Sequence, residues 1–239
     1  MKLLLHICCA PCSVACVKQL RAEGVEPVGY WYNPNIHPFT EYRMRRNTLV
    51  DYAKSIGMPL ILNDEYGLRP FVRAVADDIE GRCVKCYAMR MRETARYAAE
   101  NGFSHFSSTL FISPYQNHEL LKRAAEDAAA EFGVAFLYRD FRPVFREGQD
   151  EARALELYMQ KYCGCVFSEE ERYLKQFRKK KSKAAQATDG GDGQAAASAP
   201  NGDNEQAADS SEAPNSDTPA AASALNSDNG QAAASAMHG

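Results

Sequence analysis

No apolar run in the 239 residues approaches the length needed to cross a bilayer, and only five apolar-leaning residues separate Met1-Lys2 from the first cysteine. A cytoplasmic protein is the expectation. Glycine is missing from the loop Cys8-Cys9-Ala10-Pro11-Cys12, the place where a nucleotide-binding sheet would carry its phosphate cradle. That absence weighs against a nucleotide-dependent or sulfur-transfer enzyme. Large apolar residues all but vanish after Ser182, where Ala, Ser, Asn, Asp, Gly and Gln take over. A segment of that composition cannot bury enough surface to offset its ordering entropy, so 183–239 is expected to be a disordered low-complexity tail behind a single domain over 1–182. The heptapeptide at 193–199 recurs at 230–236, too little repetition for a solenoid.

A strong excess of either charge is also lacking. The chain nets −3, but eight of its 31 acids and one of its 28 bases lie beyond Ser182, which leaves 27 bases against 23 acids before it, a net of +4. A mildly basic domain permits a polyanionic partner without requiring one.

Cysteine is plentiful. Four of the eight, at 8, 9, 12 and 16, fall within nine residues. The apolar stretch 3–7 predicts a buried strand, and the sequence from Ser13 to Leu20 predicts a helix whose first turn follows Pro11. Cys8, Cys9 and Cys12 then sit in a strand-to-helix turn, beside free backbone N–H groups and the positive end of a helix dipole. Both features favour the thiolate. In a reducing compartment such thiols suit metal or redox chemistry better than structural disulfides.

Further strands are predicted at 27–32, 59–63, 105–110 and 135–138. Helices alternate with them at 41–56 (capped by Thr40), around 70–77, from about 87 to 101, on to about 132, and at 149–162 and 168–180. This alternation predicts an α/β fold of Rossmann-like or HUP-like kind, three layers with a mainly parallel five-stranded sheet and helices on both faces. Ligands gather at the C-terminal ends of strands in such sheets. The cysteine-rich and polar loops after strands one, two, four and five share that edge.

Cys8 and Cys9 with Cys83-x-x-Cys86 supply four thiolates, enough for a tetrahedral zinc or for a cubane iron–sulfur cluster. Adjacent cysteines suit two corners of a larger cluster better than one small ion, which favours iron–sulfur without deciding it. Cys83 and Cys86 also read as small buried hydrophobes at a helix start, Cys12 as a spare ligand or core, and Cys16 as core. Cys163-Gly164-Cys165 is of another kind. A disulfide across one residue closes a strained, readily reduced ring that could store two electrons; two unpaired thiols are the alternative. Around the same edge His6, Asn33, His37, Tyr115, Gln116, His118, Asp140 and Arg142 are candidates for proton transfer or substrate binding. Tyr30, Trp31, Tyr32 and Phe39 near Arg43, Arg45 and Arg46 could stack a base over a phosphate-binding surface, or be ordinary core.

Six motifs carry a resemblance. His6-x-Cys8-Cys9-Ala10-Pro11-Cys12-Ser13, Tyr32-Asn33-Pro34-Asn35-Ile36-His37-Pro38, Gly81-Arg82-Cys83-x-x-Cys86-Tyr87, Ser113-Pro114-Tyr115-Gln116-x-His118, Asp140-Phe141-Arg142 and Gln160-Lys161-Tyr162-Cys163-Gly164-Cys165 together resemble the QueH-type epoxyqueuosine reductases, over about 3–175. The resemblance implies reduction of epoxyqueuosine to queuosine at the wobble position of tRNA, with electrons from an unidentified donor. It implies a [4Fe-4S] cluster on Cys8, Cys9, Cys83 and Cys86 and a redox-active disulfide between Cys163 and Cys165. A second, mononuclear iron close to the cluster belongs to the same pattern, with Cys12 available as a ligand. A zinc-stabilised RNA-binding module without redox activity is the alternative, and it would be colourless where an iron–sulfur enzyme is brown.

Overall fold

The computed structural model describes residues 1–188, with side chains through Lys179. The segment 189–239, most of the expected tail, lies outside the described residues. β1 (Leu3–His6) is an apolar run without alternation, and Leu3, Leu4 and Leu5 are fully buried. Strands covered on both faces read this way. β1 is the middle of a five-stranded sheet ordered β3-β2-β1-β4-β5, with β2 at Pro27–Trp31, β3 at Leu60–Leu62, β4 at His105–Ser108 and β5 at Ala135–Phe136. Every pairing is parallel, and Leu3 lies opposite both Pro27 and His105.

Parallel neighbours need long crossovers, and helices supply them. These are α1 (Ala10–Ala22), α2 (Phe39–Ser55), α3 (Leu68–Val75), α4 (Arg82–Glu100), α5 (His118–Phe132), α6 (Phe145–Ala154) and α7 (Val166–Thr188). Right-handed crossovers put α1 and α2 on one face and α4 and α5 on the other. Accordingly α1 packs on α2 and α6, while α4 packs on α5, β1 and β4. The three-layer α/β arrangement expected from the alternation is the one observed. Among the described residues no helix is long and apolar enough to cross a membrane.

Several boundaries differ from expectation for local reasons. α1 begins at Ala10, with Cys9 as its N-cap residue and Pro11 inside the first turn, so Cys12 is helical and not part of the turn. α2 starts at Phe39 behind Pro38, and Thr40 lies within it without capping it. α4 starts at Arg82, which puts Cys83 and Cys86 on its first turns. The predicted fourth strand breaks at Ser108, whose hydroxyl accepts from the Leu110 N–H and opens a 3₁₀ turn over Thr109–Ile112. α6 is displaced toward the N-terminus from 149–162 because a second 3₁₀ turn, Arg142–Val144, leads into it and Glu156, at φ 55°, ends it. α7 continues to Thr188, past Ser182.

The chain leaves β1 toward β2 on one side and returns at β4 on the other. The C-terminal end of β1 is thus the point where strand order reverses, the position at which open α/β sheets form a crevice.

Candidate functional site

The corner after β1 is held open by its neighbours. The Ile7 N–H donates to the Tyr30 carbonyl at 2.9 Å, Asn33 Nδ2 donates to the Ile7 carbonyl at 2.9 Å, and the Cys8 N–H donates to Thr109 Oγ1 at 3.2 Å. With its backbone so fixed, the corner brings the Sγ atoms of Cys8, Cys9 and Cys12 within 4.8 Å of one another. Cys9 is the N-cap residue of α1 but makes no side-chain cap bond, which leaves its thiol to its neighbours. Hydrogen bonds from the Cys12 and then the Cys9 thiol hold Cys8 well below the ordinary cysteine range, helped by Arg90 and the Thr109 hydroxyl. Burial pushes Cys9 up, and Cys12 is raised chiefly as donor to Cys8. One sulfur of the three carries the negative charge readily.

Two buried guanidinium groups face this sulfur-rich corner. Arg90, on α4 one turn beyond Cys86, donates from Nη2 to Asn33 Oδ1 at 2.7 Å and from Nε to His6 Nε2 at 3.3 Å, and its Nη1 lies 3.9 Å from Cys86 Sγ. Burial, with Arg90 beside it, pushes His6 down to about 3, so the ring is neutral; its Nδ1 pairs with the Ser108 hydroxyl at 2.8 Å. His6 is therefore committed to the network. Burial raises Cys86 to about 12, opposed by Arg90. Arg45, on α2, donates Nε to Glu41 Oε1 at 2.7 Å and its two terminal nitrogens to the carbonyls of Cys163 and Tyr162, each at 3.0 Å.

Those carbonyls belong to the segment between α6 and α7, which the loop after β2 also grips. The His37 N–H donates to the Gly164 carbonyl at 2.8 Å, His37 Nδ1 accepts from the Val166 N–H at 3.3 Å, and Tyr162 Oη donates to the His37 carbonyl at 2.5 Å. Gly164 adopts φ 144°, and a Cβ there would come within 3.2 Å of both Asn35 and Ile36. Both the backbone angle and the space call for glycine. Cys163 and Cys165 are free thiols, as are all eight cysteines, and they face different surroundings. Cys165 is buried with Phe71, Val75 and Cys86, whereas Cys163 is exposed and accepts from Gln116 Nε2 at 3.5 Å.

A cavity of about 370 Å³ opens at this edge. Cys8 lines it from the turn after β1, Cys12 from α1 and Thr109 from the 3₁₀ turn after β4; Tyr115 and Gln116 from the loop before α5; Gln149, Gln160, Lys161, Tyr162 and Cys163 from α6 and the segment after it; Arg172 from α7. Gln160 Nε2 donates to Cys12 Sγ at 3.5 Å, and its buried Oε1 has no partner.

Of the residues singled out from sequence, Cys8, Cys12, Arg45, Tyr115, Gln116 and Cys163 line the cavity. Asn33 and His37 are buried and act as braces, in the Arg90 network and the Gly164 grip respectively. His118 is buried edge-on to Phe111, and Asp140 and Arg142 form a surface ion pair at 2.6 Å; none of the three is part of the lining. Cys83 is exposed on the first turn of α4. Cys16 is core, as are Tyr30 and Trp31, while Arg45 is buried against Glu41 and Arg46 pairs with Asp64, so the supposed phosphate-binding surface on α2 does not form from Arg45. Arg90, Thr109, Gln149 and Arg172 were not singled out from sequence. Only Arg90 left a local trace, at i+4 from Cys86 and hence on the same helical face.

The family model for epoxyqueuosine reductase QueH matches residues 3–171. The epoxyqueuosine reductase QueH of Dehalococcoides mccartyi is 42% identical over 174 residues, 73% of this chain and 96% of that protein. Those of Histophilus somni and Thermotoga maritima are 38% and 34% identical over 177 and 178 residues, covering 70% and 69% of this chain and 72% and 88% of theirs. The matched span takes in the β1 corner, α4 and the Cys163–Cys165 segment alike, and the chain belongs to the QueH family of epoxyqueuosine reductases.

Proposed function

We propose that this chain reduces epoxyqueuosine to queuosine in the wobble position of tRNA, in the cytoplasm, with a [4Fe-4S] cluster held by Cys8, Cys9, Cys83 and Cys86. The observation that carries the reading is the buried trio of thiols beside a cavity that Cys163 also lines. The Cys8 and Cys9 half of that set suits such a group, while Cys83 and Cys86, on the first turns of α4, lie outside the trio of sulfurs within 4.8 Å of one another. The Cys8–Cys9–Cys12 corner gathers sulfur alone, the ring of His6 is already engaged, and the buried Arg90 guanidinium would offset the negative charge that thiolates and sulfides would bring together. Bound there, the cluster supplies single electrons. Cys12 would be available as a ligand to a second, mononuclear iron.

Releasing the epoxide oxygen as water takes two electrons and two protons. Cys163 and Cys165, oxidised from dithiol to disulfide, would release that number of each, and an external donor would restore them. Arg45 and His37 hold the intervening backbone fast, while the left-handed Gly164 gives it the turn it needs. Around the cavity, the amides of Gln116 and Gln160 would bind the modified base and the exposed ring of Tyr115 would shield it from water.

Turnover on tRNA carrying the epoxide tests the reading. Cys163→Ser and Cys165→Ser should each keep the visible absorption of the cluster while turnover falls to background. Unchanged turnover would remove the pair from the mechanism, and a wild-type chain that binds this tRNA yet leaves the epoxide intact would sink the reductase assignment.

A further inference from the structure

The family match ends at residue 171, but α7 runs on to Thr188. Seven bases lie between Arg172 and Lys183, and no acid occurs between Glu171 and Asp189. Bases near a helix C-terminus commonly complement its dipole, an effect confined to the last turn. This run begins at Arg172, more than four turns upstream of the end, at about 3.6 residues per turn. The dipole does not account for it.

Two further observations give the run a direction. Arg172 lines the cavity that Cys8 and Cys12 line, so the basic stretch starts at the mouth of the site. Lys175 and Arg178, at i+3 from one another, share a shallow groove with Glu171 and Leu174 on the outer part of the same helix. From Arg172 to Thr188 the helix extends about 24 Å at ~1.5 Å per residue, long enough to follow several phosphates of one strand.

We infer that the outer half of α7 is a docking arm for the phosphodiester backbone of the tRNA that enters the cavity. The inference rests on the reductase reading and adds to it a binding surface that runs past the end of the family model. Exposed Leu174 and Phe177 on a basic helix would also suit an anionic bilayer. The place of Arg172 on the cavity wall favours RNA, because an arm that serves the site must lead its ligand into it.

Binding of unmodified tRNA to the full chain, followed by fluorescence anisotropy between about 0.05 and 0.3 M salt, tests this directly. Lys175→Ala with Arg178→Ala should reduce the slope of log affinity against log salt by about 1.5 and weaken binding about tenfold near 0.15 M salt. The swap Lys175→Arg with Arg178→Lys should preserve both, which separates lost charge from lost folding. On substrate tRNA the alanine pair should raise KM by a similar factor and leave kcat unchanged. An unaltered salt slope in the alanine pair would overturn the inference, as would loss of binding to phosphatidylglycerol vesicles with tRNA binding intact. Because the binding assay needs no turnover, an arm-dependent slope in a chain that leaves the epoxide intact would refute the reductase reading and keep the arm.

Discussion

Arg90 shows how much of the site depends on single side chains. It is 2% exposed, yet it joins β1 through His6, the β2 loop through Asn33 and its own helix through Cys86. A buried guanidinium is costly unless its partners are in place, and removing it strands theirs. Arg90→Met should therefore lower the unfolding free energy by about 3 kcal/mol, read from a urea titration under nitrogen. A loss below about 1 kcal/mol would mean that His6 and Asn33 find other donors. Little of this network was legible beforehand. Sequence marked His6, Asn33 and Cys86 separately, but nothing in their spacing says that one arginine meets all three. Arg45 is similar, since its basic neighbours Arg43 and Arg46 made it look like surface.

At the scale of elements, the apolar run before Cys8 identified β1 because a strand buried on both faces needs no alternation. Helix starts were harder. α4 begins at Arg82 with no side-chain cap bond, and α6 follows a short 3₁₀ turn, so neither start carries a capping signature. The segment from Tyr162 to Val166 was legible only as a cysteine motif, because its anchors lie over a hundred positions away: His37 Nδ1 and the Val166 N–H are separated by 129 residues. That anchor makes a pH prediction. His37 Nε2 donates to the Pro34 carbonyl at 2.9 Å while Nδ1 accepts, so the neutral ring is the one that fits, and burial lowers its pKa below the ordinary 6.5. A depressed folded-state value contributes stability in full above the unfolded value, and that stability is lost as pH falls toward the folded one. Wild-type stability should thus decline on acidification below about pH 6.5. His37→Gln can keep both bonds without titrating, and its urea midpoint should change less between pH 7 and pH 5. Equal pH dependence in the two proteins would show that His37 does not gate this segment.

Over the whole molecule, the alternation of strands and helices was enough to anticipate a parallel sheet with its polar loops on one edge, because each signal is local and the crossover rule assembles them. The cavity was not legible in the same way. Its walls join Cys12 to Gln160 across 148 residues and bring in Arg172 from the last helix, contacts that no periodicity encodes. The parts meet at the Cys8–Cys9–Cys12 corner, at the reversal point of the sheet, with Cys163 on the wall of the same cavity. Iron and acid-labile sulfide, measured per chain on protein purified without oxygen, address that assembly most directly. About four labile sulfides per chain, lost in Cys9→Ser and in Cys83→Ser, are expected. Stoichiometric zinc with no labile sulfide would contradict the account.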